Sequence, residues 1–354
     1  MQDIRVIPCK AFKEKPVDET RLGFGKKFTD YRFCMDYYDG AWQDPRIEPN
    51  EPFVLDPATS VLHYGQSIFE GMKCYRREDG GLQLFRAKDN FARMNRSADR
   101  LSIPQFDEEL VLEGLIKLLN IEKDWVPHAE GTSLYIRPTI IATDPFLGVG
   151  AGKNYKFYII LAPSGAYYAS GLAPVGIYVE DHYVRAVRGG FGFAKTAGNY
   201  AASIKAGEIA KKRGYAQVLW LDGVEQKYVE EVGSMNMCFI IDGVIVTPEL
   251  NGSILAGITR DSILKLCKEM GYKVEERRIS IDEVFEAARA GKLEEAFGTG
   301  TAAVVSPVNA LCRDQEEIKI GDGNIGPITQ KLYDTLTGIQ FGKLEDTHNW
   351  VMRL

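Results

Sequence analysis

GFAKTAGNY, Gly192 to Tyr200, sets one lysine among small and aromatic residues just ahead of a helical segment. Phe191, Phe193 and Ala194 precede Lys195, and Ala197 and Gly198 follow it, so its side chain is expected in a weakly polar setting. Desolvation there lowers a lysine pKa toward the neutral amine, the form that attacks a carbonyl carbon and makes a Schiff base. The competing reading is a solvated surface charge, one of 43 Lys and Arg, and the small apolar neighbours weigh against it. The helix that follows is predicted from Asn199 as N-cap, with Tyr200 at its start. Lys211, Lys212 and Arg213 before Gly214 match the charge and glycine preferences of a helix end.

Working outward, strands are predicted at Ile177 to Glu180, Ala216 to Leu221, Phe239 to Val246 and Ala296 to Val308, with Asp222-Gly223 and Asp242-Gly243 as hairpin turns. A helix from Thr259 to Met270 stops at Gly271, and another opens with Ser280-x-x-Glu283, a capping-box pattern. Toward the N-terminus, strands are predicted at Arg32 to Tyr38, Phe53 to Leu55, Leu82 to Phe85, Leu134 to Ile141 and Tyr155 to Ala162. Helices are predicted at Ala87 to Leu101 and Asp107 to Asn120. Between the two groups stands PSGAYYASGLAPVG, rich in Gly, Pro, Ser and Ala, which reads as a connector. The expected organisation is α+β or mixed α/β, with a smaller N-terminal α/β domain (1–165), a connector (166–176) and a larger C-terminal domain (177–354).

With 354 residues, 45% hydrophobic and 26% charged, the chain can bury two cores. The formal net charge is -6 and the basic residues are dispersed, which argues against a nucleic-acid footprint or a polybasic membrane patch. The charged N-terminal stretch lacks the apolar core of a secretory signal, and no apolar run approaches bilayer-spanning length, so a cytoplasmic protein acting on small metabolites is expected. Six cysteines without a CxxC pair read as reduced thiols, and four scattered histidines offer no metal-ligand spacing. GVGAGKN, Gly148 to Asn154, fails as a phosphate loop because Leu147 stands where the first glycine is required and Asn154 replaces Ser or Thr.

Other positions join the lysine. In YVEEVGSMN, Glu231 is either a solvent-facing strand charge or a carboxylate set against a cofactor ring nitrogen, with Glu230 then on the opposite face. LAGITRDS puts Gly257, Ile258 and Thr259 at a helix start, either as an ordinary Thr cap or as an anion site. FGTGTAAVV alternates glycines with hydroxyl residues after a strand and can offer N–H and O–H donors to a phosphate or carboxylate. In LYIRPT, Tyr135, Arg137 and Thr139 share one strand face, opposite Ile136 and Ile140, and Pro138 predicts an edge or a bulge. Tyr64 and Phe69 in HYGQSIFEG either wall a hydrophobic pocket or pack in the core.

LHYGQSIFEGMK, NFARMNRSADRL, LYIRPT, FAKTAGNYAAS, EVGSMN, AGITRDSI and FGTGTAAVVSPV stand in an order and spacing that resemble the branched-chain amino acid aminotransferases among the fold-type IV pyridoxal phosphate enzymes. The likeness runs from about Tyr31 to the C-terminus. It implies two domains with the active site at their interface, and pyridoxal 5'-phosphate as cofactor. By the resemblance, Lys195 carries the cofactor and moves the proton, Glu231 partners the pyridine nitrogen and Tyr200 bonds the ring hydroxyl. Arg93, Ile258, Thr259 and Thr301 would hold the phosphate. Thr301 and Ala302 would hold the substrate carboxylate, and Tyr64, Phe69, Tyr135 and Arg137 would line the substrate pocket. Because the same pocket would also have to admit glutamate, Arg137 is expected to contact its distal carboxylate.

The same resemblance implies a homodimer in which the loop around Leu147 and Val149 reaches the neighbouring site, and it sets Tyr167 on a mobile connector. Vertebrate relatives carry a CxxC pair where this chain has Ala303 and Ser306, so thiol regulation there is not expected. The implied activity is reversible amino transfer between L-Leu, L-Ile or L-Val and 2-oxoglutarate. The alternatives are a D-amino acid transaminase or an aminodeoxychorismate lyase on the same fold, or a cofactor- or metabolite-binding protein without catalysis.

Overall fold

The computed structural model describes residues 3–165 and 172–354, so Tyr167 and most of the expected connector lie outside the described residues. The chain divides into two compact units. The first is Met1–Ala169 with Ala194–Ala197 and Ile339–Leu354, and the second is Ser170–Phe193 with Gly198–Gly338.

In the first unit, β1 (Arg5–Val6), β2 (Tyr31–Tyr38), β3 (Ala41–Pro49), β4 (Ser67–Phe69), β5 (Met72–Arg76), β6 (Leu82–Phe85), β7 (Ser133–Ala142), β8 (Tyr155–Ser164) and the C-terminal strand Val351–Arg353 build one sheet. Its order is β1-β3-β2-β8-β7-β5-β6 and then the C-terminal strand, with β4 also on β7. The alternation read in LYIRPT holds: Leu134, Ile136 and Ile140 enter the core with Phe33, Phe157 and Ile159, each shielded from water. Burying each such side chain stabilises the fold by about 1.5–3 kcal/mol.

The short helix α1 (Ser60–Tyr64) precedes β4, and α2 (Ala87–Arg100) and α3 (Glu108–Ile121) contribute Phe91, Met94, Leu115 and Leu118 to the same core. Asp107 caps α3 by accepting from the backbone N–H of Glu109 and Leu110. Gly114 is where α3 touches the sheet, since a Cβ there would stand 2.4 Å from the Phe33 ring.

Two expectations in this unit need correcting. Residues 53–55 form no strand; Phe53 is held through its ring, edge-on to Tyr158 at 5.1 Å and under the Arg32 guanidinium at 4.0 Å. β7 is a central strand, not an edge. Pro138 is tolerated because it lies opposite the break between β4 and β5, where its carbonyl accepts from Glu70 N–H and no ladder donor is needed on that side. The sequence reading does not foresee the polar strand β3, with Pro45 inside it; Arg46 bonds Asp44 and Glu48 along it and Asp36 on the neighbouring β2.

The second unit contains β9 (Val175–Glu180), β10 (Gln217–Leu221), β11 (Val229–Val232), β12 (Met235–Ile241), β13 (Val244–Thr247), β14 (Lys273–Glu276), β15 (Leu293–Gly300), β16 (Val304–Arg313) and β17 (Glu316–Lys319). The order β11-β10-β9-β16-β15-β12 closes on itself through a β11–β12 pairing, with β13 and β14 continuing from β12 and β17 on β16. Ile177, Leu219, Val232, Met237, Phe239 and Leu311 belong to its core.

Its helices are α4 (Ala197–Lys212), α5 (Ile258–Glu269), α6 (Ile281–Arg289) and α7 (Pro327–Gln340). Ser280 caps α6 from Glu283 N–H, as the sequence pattern predicts. Residues 296–308 are a hairpin rather than one strand, because Thr301, Ala302 and Ala303 turn the chain between β15 and β16. Residues 239–246 fold back at Asp242-Gly243, the hairpin turn that the sequence predicts. Asp222 opens a longer turn, its carboxylate accepting the backbone N–H of Val224, Glu225, Lys227 and Tyr228. Asn199 is no N-cap: α4 begins two residues earlier and the Asn199 amide donates to Phe191 O at 3.1 Å.

Candidate active site

In the first unit the Lys195 segment is fastened on both sides. Its backbone N–H donates to Ser97 Oγ at 2.9 Å, its carbonyl accepts from Phe69 N–H at 3.0 Å, and the Thr196 hydroxyl donates to Ser67 O at 2.7 Å. Thr196 also pairs with Ile68 as an antiparallel bridge, so this short loop behaves as an extra strand beside β4. The Lys195 ammonium lies 5.1 Å from the Phe69 ring centroid, and the Arg137 guanidinium lies 4.7 Å from the same ring. Arg137 donates from Nη2 to the Tyr135 hydroxyl at 3.1 Å, while its Nε is buried without a partner. Phe69, Tyr135, Arg137 and Lys195 are thus brought together.

Arg93 stands one helical turn from Ser97 on α2, so both face the same way. Its Nε and Nη2 grip Glu70 Oε1 and Oε2 at 2.7 and 2.8 Å, and Glu70 is wholly buried. Glu70 was absent from the sequence-level set; its only signal was a position between an apolar strand and a glycine. Phe24 was missed too. It stacks edge-on against Tyr135 at 4.7 Å, from a Gly-Phe-Gly segment with no periodicity to mark it. The Tyr64 hydroxyl donates to the Leu147 carbonyl, in a loop where Phe146, Leu147 and Val149 are exposed.

In the second unit Glu231 is buried, which removes the solvent-facing alternative. Its Oε1 accepts from Arg185 Nη2 at 2.9 Å and from Leu255 N–H at 2.7 Å. Glu230 takes different partners, the Ser253 hydroxyl and Asn251 Nδ2, but is equally buried, and burial pushes its carboxyl above the usual range. Arg185 and Ser253 carried no sequence signal of their own.

Register adds a row. Glu231 pairs with Asn236 across β11–β12, and Asn236 pairs with Thr299 across β12–β15, so all three side chains share a face, opposite the core residues Val232 and Met237. Asn236 Nδ2 donates to Leu255 O at 2.9 Å, and a Cβ on Gly257 would stand 2.0 Å from Asn236 Oδ1. The row therefore ends at the start of α5. Gly257, not Thr259, is the N-cap of that helix, and no side chain caps it. Ile258 and Thr259 lie in its first turn, where N–H groups and the dipole favour an anion. Thr301 and Ala302 form the hairpin turn just beyond Thr299, whose buried Oγ1 has no partner. Tyr200 lies in the first turn of α4.

These residues fit a phosphorylated, nitrogen-containing aromatic cofactor. A side-chain-free helix N-terminus, an orphaned Thr299 hydroxyl and a glycine that keeps the backbone open suit a phosphate, and a buried carboxylate suits a protonated ring nitrogen. Among the described residues no cluster of His, Cys, Asp and Glu is arranged to hold a metal, and no helix is long and apolar enough to cross a membrane.

The family described as amino-transferase class IV matches residues 67–311. The chain is 58% identical over 350 residues to branched-chain-amino-acid aminotransferase 2 of Bacillus subtilis (strain 168), covering 99% of this chain and 96% of that one. Among solved structures it resembles the Escherichia coli branched-chain amino acid aminotransferase, with a TM-score of 0.73 and 28% identity over 91% of this chain and 98% of that one. It also resembles the branched-chain aminotransferase of the thermophilic archaeon Thermoproteus uzoniensis with norvaline, with a TM-score of 0.73 and 26% identity over 91% and 99% of the two chains.

Proposed function

From the premise that the chain belongs to the class IV aminotransferases, we propose that the residues above carry reversible amino transfer between branched-chain amino acids and 2-oxoglutarate. The activity is that of a branched-chain-amino-acid aminotransferase, as in relatives 58% identical over nearly the whole chain. The names of these relatives leave the D-amino acid and lyase alternatives without support.

We assign pyridoxal 5'-phosphate as the cofactor. When bound, it supplies an aldehyde to take the amino group and a ring that draws electrons from the substrate Cα. Lys195 Nζ then moves the proton from Cα. Glu231 keeps the ring nitrogen protonated, and Tyr200 bonds the ring hydroxyl. The first-turn N–H groups of Ile258 and Thr259, with Thr301 and Arg93, hold the phosphate. Glu70 holds Arg93 through its Nε and Nη2 and so sets the orientation of that guanidinium. The turn at Thr301 and Ala302 binds the substrate α-carboxylate.

Phe69 and Tyr135 wall the side chain of Leu, Ile or Val, and Arg137 receives the distal carboxylate of glutamate. Tyr64, Leu147 and Val149 complete the same reading through a homodimer. Leu62, Phe146, Leu147 and Val149, between 60% and 86% exposed, support an interface in that part of the first unit. A cytoplasmic location belongs to the same proposal.

The observation that carries the assignment is the fastening of Lys195 through both its backbone groups beside Phe69 and Arg137. The test is the visible absorbance of the purified protein loaded with pyridoxal phosphate, recorded before and after L-leucine and then 2-oxoglutarate. A band that fades and returns is expected. A colourless protein that takes up no cofactor would refute it.

A further inference from the structure

Arg185 is only 7% exposed at its side chain and precedes Lys195 in a stretch that no motif marks. A single nitrogen, Nη2, joins three elements: it donates to Glu231 Oε1 at 2.9 Å, to Ser253 O at 2.8 Å and to Gly192 O at 3.1 Å. The backbones at Gly192 and Ser253 press together, for a Cβ on Gly192 would stand 2.1 Å from Ser253 O. Only glycine permits that approach, and Arg185 stitches it.

A guanidinium does not lose its proton in a protein, so Glu231 faces a permanent positive charge in a site with little water. The Leu255 N–H donates to the same oxygen, so two donors fix the carboxylate at Oε1. The neighbouring acid does not compete for this charge. Glu230 is bonded to the Ser253 hydroxyl and to Asn251, its Oε2 has no partner, and desolvation drives it toward its neutral form.

We infer that Arg185 is a positioning residue for the reaction: it holds Glu231 ionised and in one rotation, so that the carboxylate can keep the cofactor's ring nitrogen protonated. This rests on the role given to Glu231 above.

The test uses the full chain loaded with pyridoxal phosphate labelled with nitrogen-15 in the ring, in the wild type and in Arg185→Gln, Arg185→Lys and Glu231→Gln. Thermal unfolding of each apo form checks that it folds. The wild type should give the resonance position of a protonated ring nitrogen. Arg185→Gln should move toward the unprotonated position, as Glu231→Gln should too, and slow the half-reaction with L-leucine by about a hundredfold, the scale for losing one preorganised electrostatic partner.

Arg185→Lys, which restores charge without the fork, should lie between the two, a rescue that a purely structural role would not give. If Arg185→Gln fails to fold, Arg185→Lys decides alone by whether its nitrogen resonance shifts. A folded variant with the wild-type resonance and rate would overturn the inference. A wild type that itself shows an unprotonated nitrogen, or takes up no cofactor, would instead overturn the role of Glu231 on which it depends.

Discussion

Arg93 meets Glu70 at two points, Nε on Oε1 and Nη2 on Oε2, with both side chains shut away from solvent inside the first unit. Glu70 also accepts from Gly71 N–H at 3.1 Å, so one carboxylate fixes the arginine and the turn between β4 and β5. Glu70→Ala leaves a buried guanidinium without its counter-charge, which typically destabilises by about 3–5 kcal/mol. Urea unfolding of the apo protein should show that loss, and titration with pyridoxal phosphate should show weaker binding than Glu70→Asp.

Gly71 is a matter of space. A Cβ there would stand 2.0 Å from the Tyr135 hydroxyl, so Gly71→Ala must displace the ring that Arg137 and Phe24 both contact. Overpacking of this kind costs about 1–3 kcal/mol. Steady-state assays should show KM rising for leucine and glutamate alike, since the wall itself moves. Gly71→Ala with Tyr135→Phe should recover part of the loss.

Arg137 separates the two substrates. Its guanidinium rests on Phe69 and donates to Tyr135, with Nε left for a further acceptor. Arg137→Ala should therefore raise KM for glutamate by about tenfold or more, the scale of a lost charged hydrogen bond, and that for leucine much less. Equal losses for both would remove the assigned role.

Ser97 acts on Lys195 through the backbone. Ser97 is buried, so Ser97→Ala leaves the Lys195 N–H without its acceptor, at about 1–3 kcal/mol, and loosens the strap beside β4. The half-reaction with L-leucine should slow while cofactor content stays near the wild-type level. Ser97→Thr, which keeps a hydroxyl, should slow it less.

What could be read from residue order alone was whatever repeats with a period or caps a helix. β6 runs from Leu82 to Phe85 and α2 starts at Ala87, both as predicted, because apolar spacing and terminal charges report local structure. Lys195, Glu231 and the start of α5 stood out as candidates from their neighbours, whereas Arg93 entered only through the family resemblance. Their partners did not: Glu70, Ser97 and Arg185 reach Arg93, Lys195 and Glu231 across separations of 23, 98 and 46 residues, and no local pattern encodes such a contact. The turn at Thr301 and Ala302 followed from the family resemblance and not from the strand pattern, since a hairpin without an Asn-Gly or Asp-Gly pair looks like one long strand.

Glu122 gives the protein a pH response away from the assigned residues. It follows α3, is only 3% exposed, and its Oε1 accepts from Tyr31 N–H at 2.5 Å. Burial pushes its carboxyl up to about 7, with Asp30 adding to the rise and Lys15 and Lys13 opposing it. Asp30 is itself committed, accepting from Lys13 N–H and from the Trp125 indole. Because the folded form binds the proton more tightly than the unfolded chain, Glu122 favours the fold below its unfolded value and penalises it as pH rises to about 7, a loss of up to about 3 kcal/mol. Glu122→Gln keeps an oxygen for Tyr31 N–H and cannot ionise. Its stability relative to the wild type, measured by urea unfolding from pH 5 to 8, should rise across that window and then level off. A difference independent of pH would mean that the carboxyl is ionised throughout the range.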